Sequence, residues 1–306
     1  MAPPLTVSVV LPTYNEPDLL EAALRSLAQQ DYPSAALEIV VVDDASTEFD
    51  AQRLRAASGH LALQLIRHET NRGRARARNS GIRAAGGDLI VFLDSDMTVE
   101  SDFLEAHAEA HRGRDEAVVI GNIQFGDHIP SSVLTRYIDD RGVHRLGPGE
   151  SVPFKCFVTG NSSMLREHIL RVGLFDEDFT TYGGEDLELG YRLFQDGATF
   201  HYAPRALSHH NHIRPFPQIC QLMYTYGRHS LPVLLRKHPD LAPLLRLDFL
   251  QEPPLSPRRL SMHLALQPLV YHPIYWLASL NFFAPNLFID YLWWYNRTRG
   301  YLVATT

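Results

Sequence analysis

Two carboxylates at alternate positions, Asp94-Ser95-Asp96, follow the apolar run Leu89 to Leu93 and form the sharpest chemical feature of the sequence. Oxygen ligands so placed suit a hard divalent cation that keeps positions for water or a phosphate oxygen. The same acids would also suit a helix start, with Asp96 or Thr98 as cap ahead of Glu100. A second acidic pair, Glu185-Asp186, follows Tyr182-Gly183-Gly184 and opens an amphipathic stretch to Phe194. One of its carboxylates could take the proton of an attacking hydroxyl, or both could be ordinary acids favoured by a helix macrodipole. Four histidines, His201, His209, His210 and His212, come next, and an imidazole among them could complete a site begun by Asp96. Arg72, Arg74, Arg76, Arg78 and Arg83 alternate around a helix among alanines, so most belong to a solvated face and one or two remain to face phosphate.

These residues need a scaffold, and the sequence supplies one. Val7 to Leu11, Leu37 to Val42, Leu63 to Arg67, Leu89 to Leu93 and Ala117 to Ile120 are short Val/Ile/Leu runs of the kind buried on both faces of a sheet. Between them, Pro17 to Gln30, Phe49 to Ser58, Gly73 to Ala85 and Glu100 to Arg112 carry apolar or alanine positions at helical spacing. This alternation predicts an α/β fold with a doubly wound, mostly parallel sheet flanked by helices. Ligands of such sheets bind beyond the carboxyl ends of the strands. There the sequence places Pro12-Thr13-Tyr14-Asn15-Glu16, Asp43-Asp44-Ala45-Ser46 and the acidic triplet. Further on we expect a strand at Phe157 to Thr159, a helix near Glu167 to Val172 and a strand pair around Ala198 to Ser208; Gly126 to Pro153 has no clear period.

Composition narrows the function classes. The 306 residues carry 28 basic and 35 acidic side chains, a formal charge of −7, so no general positive field is available to hold nucleic acid. Two cysteines, Cys156 and Cys220, cannot build a disulfide framework or a four-thiolate zinc site. The opening residues lack a basic stretch followed by a secretory apolar region.

Val9-Val10-Leu11-Pro12-Thr13-Tyr14-Asn15-Glu16, Ile39 to Ser46, Asn71-Arg72-Gly73 through Asn79-Ser80-Gly81, the triplet, and Gly184-Glu185-Asp186 stand in one order along two thirds of the chain. In this the sequence strongly resembles the family 2 glycosyltransferases, inverting nucleotide-sugar enzymes of GT-A fold. The resemblance implies that Pro12, Thr13, Tyr14 and Glu16 line the nucleotide pocket and that Asp44 accepts a hydrogen bond from the base, usually uracil. It implies Arg74 or Arg78 near the donor phosphates or ribose, Asn79 as a brace, and Asp94 with Ser95 at the ribose or metal. Asp96 becomes the main ligand of Mn²⁺ or Mg²⁺, with His209 as first choice for an added imidazole and His210 as second. Asp186 becomes the catalytic base, and Gly160, Asn161, Gly184 and Glu185 would contact sugar or acceptor. The implied partners are a nucleotide-sugar donor and a glycan or lipid-linked acceptor of cell-envelope or exopolysaccharide synthesis.

Two enzyme rivals and one binding role compete. Asp94 to Thr98 fits the DxDxT pattern of haloacid-dehalogenase-like phosphohydrolases, but there the motif normally ends the first strand and an acidic pair follows, whereas here it ends the fourth and Asp43-Asp44 precedes it. A sugar-nucleotide-forming nucleotidyltransferase would open with a glycine-rich loop, and Pro12 to Glu16 has no glycine. A non-catalytic sugar-nucleotide binder would not need both Asp96 and Asp186.

The expected division is a catalytic domain over 1–213, with a nucleotide half at 1–123 and an acceptor half at 124–213, then a helical aromatic-rich region over 214–306. Leu260 to Ile289 has no Asp, Glu, Lys or Arg, but Pro268, Pro273 and Pro285 cut it below the length of a bilayer span. Core packing, a homodimer surface, or an interfacial contact with anionic lipid flanked by Arg258, Arg259, Arg297 and Arg299 remain as readings. The expected location is the cytoplasm, with peripheral contact at the inner face of the membrane.

Overall fold

The computed structural model describes residues 4–146, 151–280 and 284–305; parts of the stretch without clear period and of the charge-free segment lie outside the described residues. In chain order the elements are β1 (Val7–Thr13), α1 (Pro17–Leu27), β2 (Leu37–Asp43), α2 (Ala51–Ala57), β3 (Ala62–Arg67), α3 (Arg74–Ala84), β4 (Leu89–Leu93) and β5 (Met97–Val99). Then come α4 (Phe103–His111), β6 (Ala117–Phe125), α5 (Val133–Asp139), β7 (Asn161–Leu165), α6 (Arg166–Arg171), α7 (Glu185–Gln195) and β8 (Thr199–His210). The chain ends in α8 (Phe216–Thr225), α9 (Leu231–Lys237), α10 (Pro257–Ala265), α11 (Pro268–Ser279) and α12 (Asn286–Thr305).

The strands form one sheet in the order β3-β2-β1-β4-β7-β6-β8-β5. The β3-β2-β1-β4 half is parallel, as expected of strands joined through helices, and β6 runs parallel to β8. Strands β7 and β5 are antiparallel to their neighbours. Val9, Leu11, Ile39, Val41 and Val91 pack on one face with Leu24 and Phe103; Val10, Val40, Phe92 and Ile120 pack on the other with Ile82 and Leu189. Both faces of the central strands are covered, which is why their sequences are continuous apolar runs rather than alternating ones.

Three expectations change. The strand expected at Phe157 to Thr159 lies later, at Asn161–Leu165, because Asn161, Ser162 and Ser163 are buried between β4 and β6 and their small polar side chains hide the usual strand signal. The strand pair near Ala198 to Ser208 is one strand, β8, whose register shifts opposite Gly121/Asn122. The triplet does not cap a helix: it turns β4 into β5, Met97 N–H bonding to the Asp94 carbonyl at 3.2 Å, and α4 begins only at Phe103.

The chain divides into two compact units, one of 1–129, 141–177 and 185–213, the other of 130–140, 178–184 and 214–306. Two short segments of the expected acceptor half thus group with the carboxy-terminal helices. That second unit has its own apolar cluster of Val133, Tyr137, Ala278, Ile289 and Leu292. Its helices meet backbone to backbone: a Cβ on Gly227 would fall 1.9 Å from the Arg297 carbonyl oxygen, so only glycine fits. Among the described residues no helix is long and apolar enough to cross a membrane.

Candidate active site

The acidic, basic and histidine side chains of the site belong to the first unit. The parallel strands deliver their carboxyl ends to one edge, and there the sequence-predicted acids converge. Asp96 lies in the β4–β5 turn with 12% of its side chain exposed; His210 Nε2, on the neighbouring β8, is 3.1 Å from its Oδ2. Its other oxygen, Oδ1, is buried with no hydrogen-bond partner among the described residues, and so is His212 Nδ1. One ligand atom each from Glu16, Asp96 and His212 lie within 4.8 Å of one another. Burial alone would favour the protonated carboxyl, but the His210 hydrogen bond and the nearby His210, His212 and Arg74 charges outweigh it and hold Asp96 below the usual carboxylate range. An ionised carboxylate with one buried oxygen unmatched, beside an imidazole nitrogen equally unmatched, is a donor set that fits a divalent cation.

His209 is the correction here. It sits opposite Thr98 on β5, and its Nε2 lies 2.8 Å from Glu100 Oε1. Adjacent strand residues face opposite sides, so His210 meets Asp96 and His209 does not. His212, beyond the strand, joins the cluster; strand periodicity stops at His210 and gives it no signal.

A second group lies around Arg78. This guanidinium, 2% exposed, bonds Asp94 Oδ1 at 3.0 Å and Glu185 Oε1 at 3.2 Å and lies 3.7 Å from Asp186 Oδ1. It is a buried strut joining the triplet to the start of α7, not a member of a solvated face, because three carboxylates offset its desolvation. Gly183 and Gly184, at φ +82° and +98°, make the left-handed turn that starts α7. Asp186 is 27% exposed on its side chain, and Thr159 holds it with its hydroxyl at 3.0 Å. Burial, then the Glu185 charge, push its carboxyl up to about 7, with Arg78 acting in the opposite sense. Thr159 went unread in the sequence because a lone threonine before a strand carries no signal.

Asn161 and Glu185 are also corrected. Asn161 is fully buried; its Oδ1 meets His107 Nε2, and its amide bonds the Ala206 carbonyl and the Ser208 hydroxyl, each at 2.9 Å. Glu185, 4% exposed, serves Arg78. Both side chains are buried and bonded within the fold. Gly160 does stand at the triplet: a Cβ there would come within 3.4 Å of Asp94 Oδ2.

On the nucleotide side, Tyr14 is exposed, Thr13 is buried, and the Ser95 hydroxyl bonds Glu16 Oε2 at 3.0 Å. Asp44 accepts from the N–H groups of Arg72 and Gly73 and from His68 Nδ1, at 2.9, 2.8 and 2.7 Å, fixing the loop ahead of α3. His68, which in turn meets the Ser80 hydroxyl at 2.9 Å, is a further residue missed in the sequence. Asn79 braces the chain at Phe175 and Glu177.

Residues 8–168 match the model of glycosyl transferase family 2, more than half of the chain, and 89–296 match that of glycosyl transferase family group 2. The chain belongs to glycosyl transferase family 2. Validoxylamine A glucosyltransferase of Streptomyces hygroscopicus subsp. limoneus is 31% identical over 274 residues, covering 78% of this chain and 58% of that protein. Glycosyltransferase YfnE of Bacillus subtilis is 30% identical over 246 residues, 64% of this chain and 62% of the relative. The chain therefore spans about three fifths of these relatives' length. Mannosyltransferase PcManGT of Pyrobaculum calidifontis, solved with GDP-Man and Mn²⁺, superposes with a TM-score of 0.60 at 22% identity over 95% of this chain and 86% of that one. S. aureus TarS, solved with UDP, gives 0.56 over 73% and 64% at 21% identity. These likenesses establish the GT-A fold with a helical, aromatic-rich carboxy-terminal region; the triplet's place after the fourth strand separates it from the phosphohydrolase pattern.

Proposed function

We propose that this family 2 member transfers a sugar from a nucleoside-diphosphate donor, UDP-linked, to an acceptor hydroxyl with inversion at the anomeric carbon. One observation carries the reading. A single buried guanidinium joins Asp94 of the triplet to Asp186, while Asp96 two residues on keeps an oxygen free beside Glu16 and His212. Cation site and proton acceptor thus lie on one edge, as a donor and an attacking acceptor require.

Asp96, His212 and Glu16 would hold Mn²⁺ or Mg²⁺, with His210 fixing the Asp96 carboxylate. Such an ion, when bound, acts as a Lewis acid toward the departing diphosphate. Thr13 and Tyr14 line the nucleotide side, and Asp44, whose carboxyl oxygens have more acceptor sites than its three donors fill, offers the remainder to the base. Asp186 takes the acceptor proton; a proton affinity near neutrality suits a general base better than that of an ordinary carboxylate.

The acceptor is a glycan or lipid-linked hydroxyl of envelope or exopolysaccharide synthesis. The outward faces of α10 and α11 support work at a membrane surface: Leu260, Leu264, Leu269, Trp276 and, just after α11, Leu280 are all more than half exposed. Three of the four arginines expected to aid this contact are otherwise engaged, Arg258 with Asp248 and Glu252, Arg259 with the Glu252 carbonyl and Arg297 with the Leu245 carbonyl. Binding would therefore be mainly apolar and weakly sensitive to lipid charge. Flotation with neutral and anionic vesicles tests it, and a salt-independent dimer without flotation would favour the homodimer.

The central test is a panel of UDP- and GDP-sugars titrated with Mn²⁺, with and without chelator. Chelator-sensitive binding and turnover of one donor are expected; no nucleotide binding under any condition overturns the proposal.

A further inference from the structure

A second cluster, at the opposite end of the sheet from the triplet, has the makings of a separate cation site. Glu116 precedes β6, His168 lies on α6, and Asp196 follows α7. The Thr199 N–H bonds the Glu116 carbonyl at 3.0 Å, tying two of the three segments together at the backbone. The His168 side chain is fully buried, and neither ring nitrogen has a hydrogen-bond partner among the described residues. Its Nε2 is 3.4 Å from Glu116 Oε2 and 3.5 Å from Asp196 Oδ2, and one ligand atom from each of the three lies within 4.8 Å of the others.

Those separations matter. They are long for hydrogen bonds, but bonds of about 2.0–2.2 Å from a tetrahedral zinc ion to nitrogen and oxygen place the ligand atoms roughly 3.3–3.6 Å apart. A buried imidazole without a partner is costly in a folded chain unless something else engages it. The two carboxylates beside it are a third to a half exposed, so an ion could enter from solvent and keep water in a fourth position. The cation now bridging them is Arg171, which bonds Glu116 Oε2 and Asp196 Oδ2 and whose side chain is 46% exposed.

We propose that Glu116, His168 and Asp196 form a binding site for a divalent transition metal of the zinc type, distinct from the Asp96 site, with Arg171 as the resident cation that the metal displaces. Ligand atoms 3.4 and 3.5 Å from the imidazole nitrogen match a tetrahedral zinc centre better than octahedral magnesium, whose bonds of about 2.0–2.1 Å would set neighbouring ligands about 2.9 Å apart.

The experiment uses the full chain, freed of metal, carrying Asp96→Asn to remove the other site, and titrated with Zn²⁺ alone by calorimetry. One ion per chain is expected to bind. Co²⁺ in its place should give the intense visible bands of a four-coordinate centre, bleached by Zn²⁺. His168→Ala, or, should that variant fail to fold, the surface changes Glu116→Gln and Asp196→Asn, should weaken binding by at least about tenfold. Arg171→Ala should tighten it. Absence of binding, or binding untouched by loss of any of the three ligands, overturns the site; unchanged or weaker binding in Arg171→Ala overturns the displacement. None of these readouts depends on glycosyl transfer.

Discussion

Two buried polar regions of the same unit behave in opposite ways. Between α4 and the sheet, His107 meets Asn161 and Ser163, and His111 Nε2 meets the same Ser163 hydroxyl, at 2.9 Å in each case. There, among the described residues, His111 Nδ1 is left over. At the carboxyl edge of the strands, Asp96 Oδ1, His212 Nδ1, Glu185 Oε2 and Arg78 Nε are all buried and unmatched among the described residues. A network that satisfies itself needs nothing from outside and holds the fold; one that leaves charged groups unmatched is incomplete without a ligand. Residue type does not separate the two, since both contain histidine and small polar groups.

The contrast breaks most sharply at the acids. Asp186→Asn should cut transfer by roughly 10²- to 10⁴-fold while sparing metal-dependent donor binding, whereas Asp96→Asn should abolish that binding. Equal loss of binding in both variants would mean the roles are misassigned. In wild type, kcat/KM should rise with pH and level off near the Asp186 value of about 7, because the base works only when deprotonated; a profile flat from pH 5 to 8 would remove Asp186 as base.

Arg78→Met leaves three carboxylates around a missing charge. Denaturant unfolding should show a loss of about 3–5 kcal/mol, the usual cost of breaking a buried ion pair from one side. A loss below about 1 kcal/mol, the scale of a surface pair, would show that water reaches the strut.

The self-satisfied network should be sensitive to acid. Burial holds His107 at about 4 and His111 at about 3, both below the ordinary histidine value. Below about pH 6.5 the unfolded chain therefore binds more protons than the folded one. Stability is fully present above that pH and falls as pH drops toward 4, by up to about 1.4 kcal/mol per pH unit for each histidine. Urea midpoints measured from pH 7 to 4 in wild type and His107→Asn should diverge; parallel curves would sink the assignment.

The smallest effect sharpens the metal site. His212→Ala should weaken Mn²⁺ binding by about tenfold or more, in line with losses at the periphery of metal centres, while His209→Ala should leave it unchanged. The reverse outcome would restore His209.

Much of the fold was legible because buried parallel strands must be apolar along their whole length, as Val7 to Leu11 and Ile39 to Val42 are. Strand β7 was not, since Asn161, Ser162 and Ser163 are buried by pairing on both sides, a fact about neighbours. The acids of the site were legible for a similar reason: a carboxylate directly after an apolar strand sits at a sheet edge wherever the sheet lies. Their partners were not. The choice of His212 and His210 over His209 depends on β8 pairing with β5, and the burial of Arg78 depends on α3 meeting α7's first turn.

The sequence by itself determined the alternating α/β architecture and the carboxylates that gather at one edge of the sheet, because periodicity and strand ends are local properties. Only the tertiary structure decided which histidine faces Asp96, that Asn161 and Glu185 hold the fold, and that Thr159 and Arg78 hold Asp186. Those outcomes turn on contacts between residues far apart in the chain, where side-chain direction and burial are set by the neighbouring element.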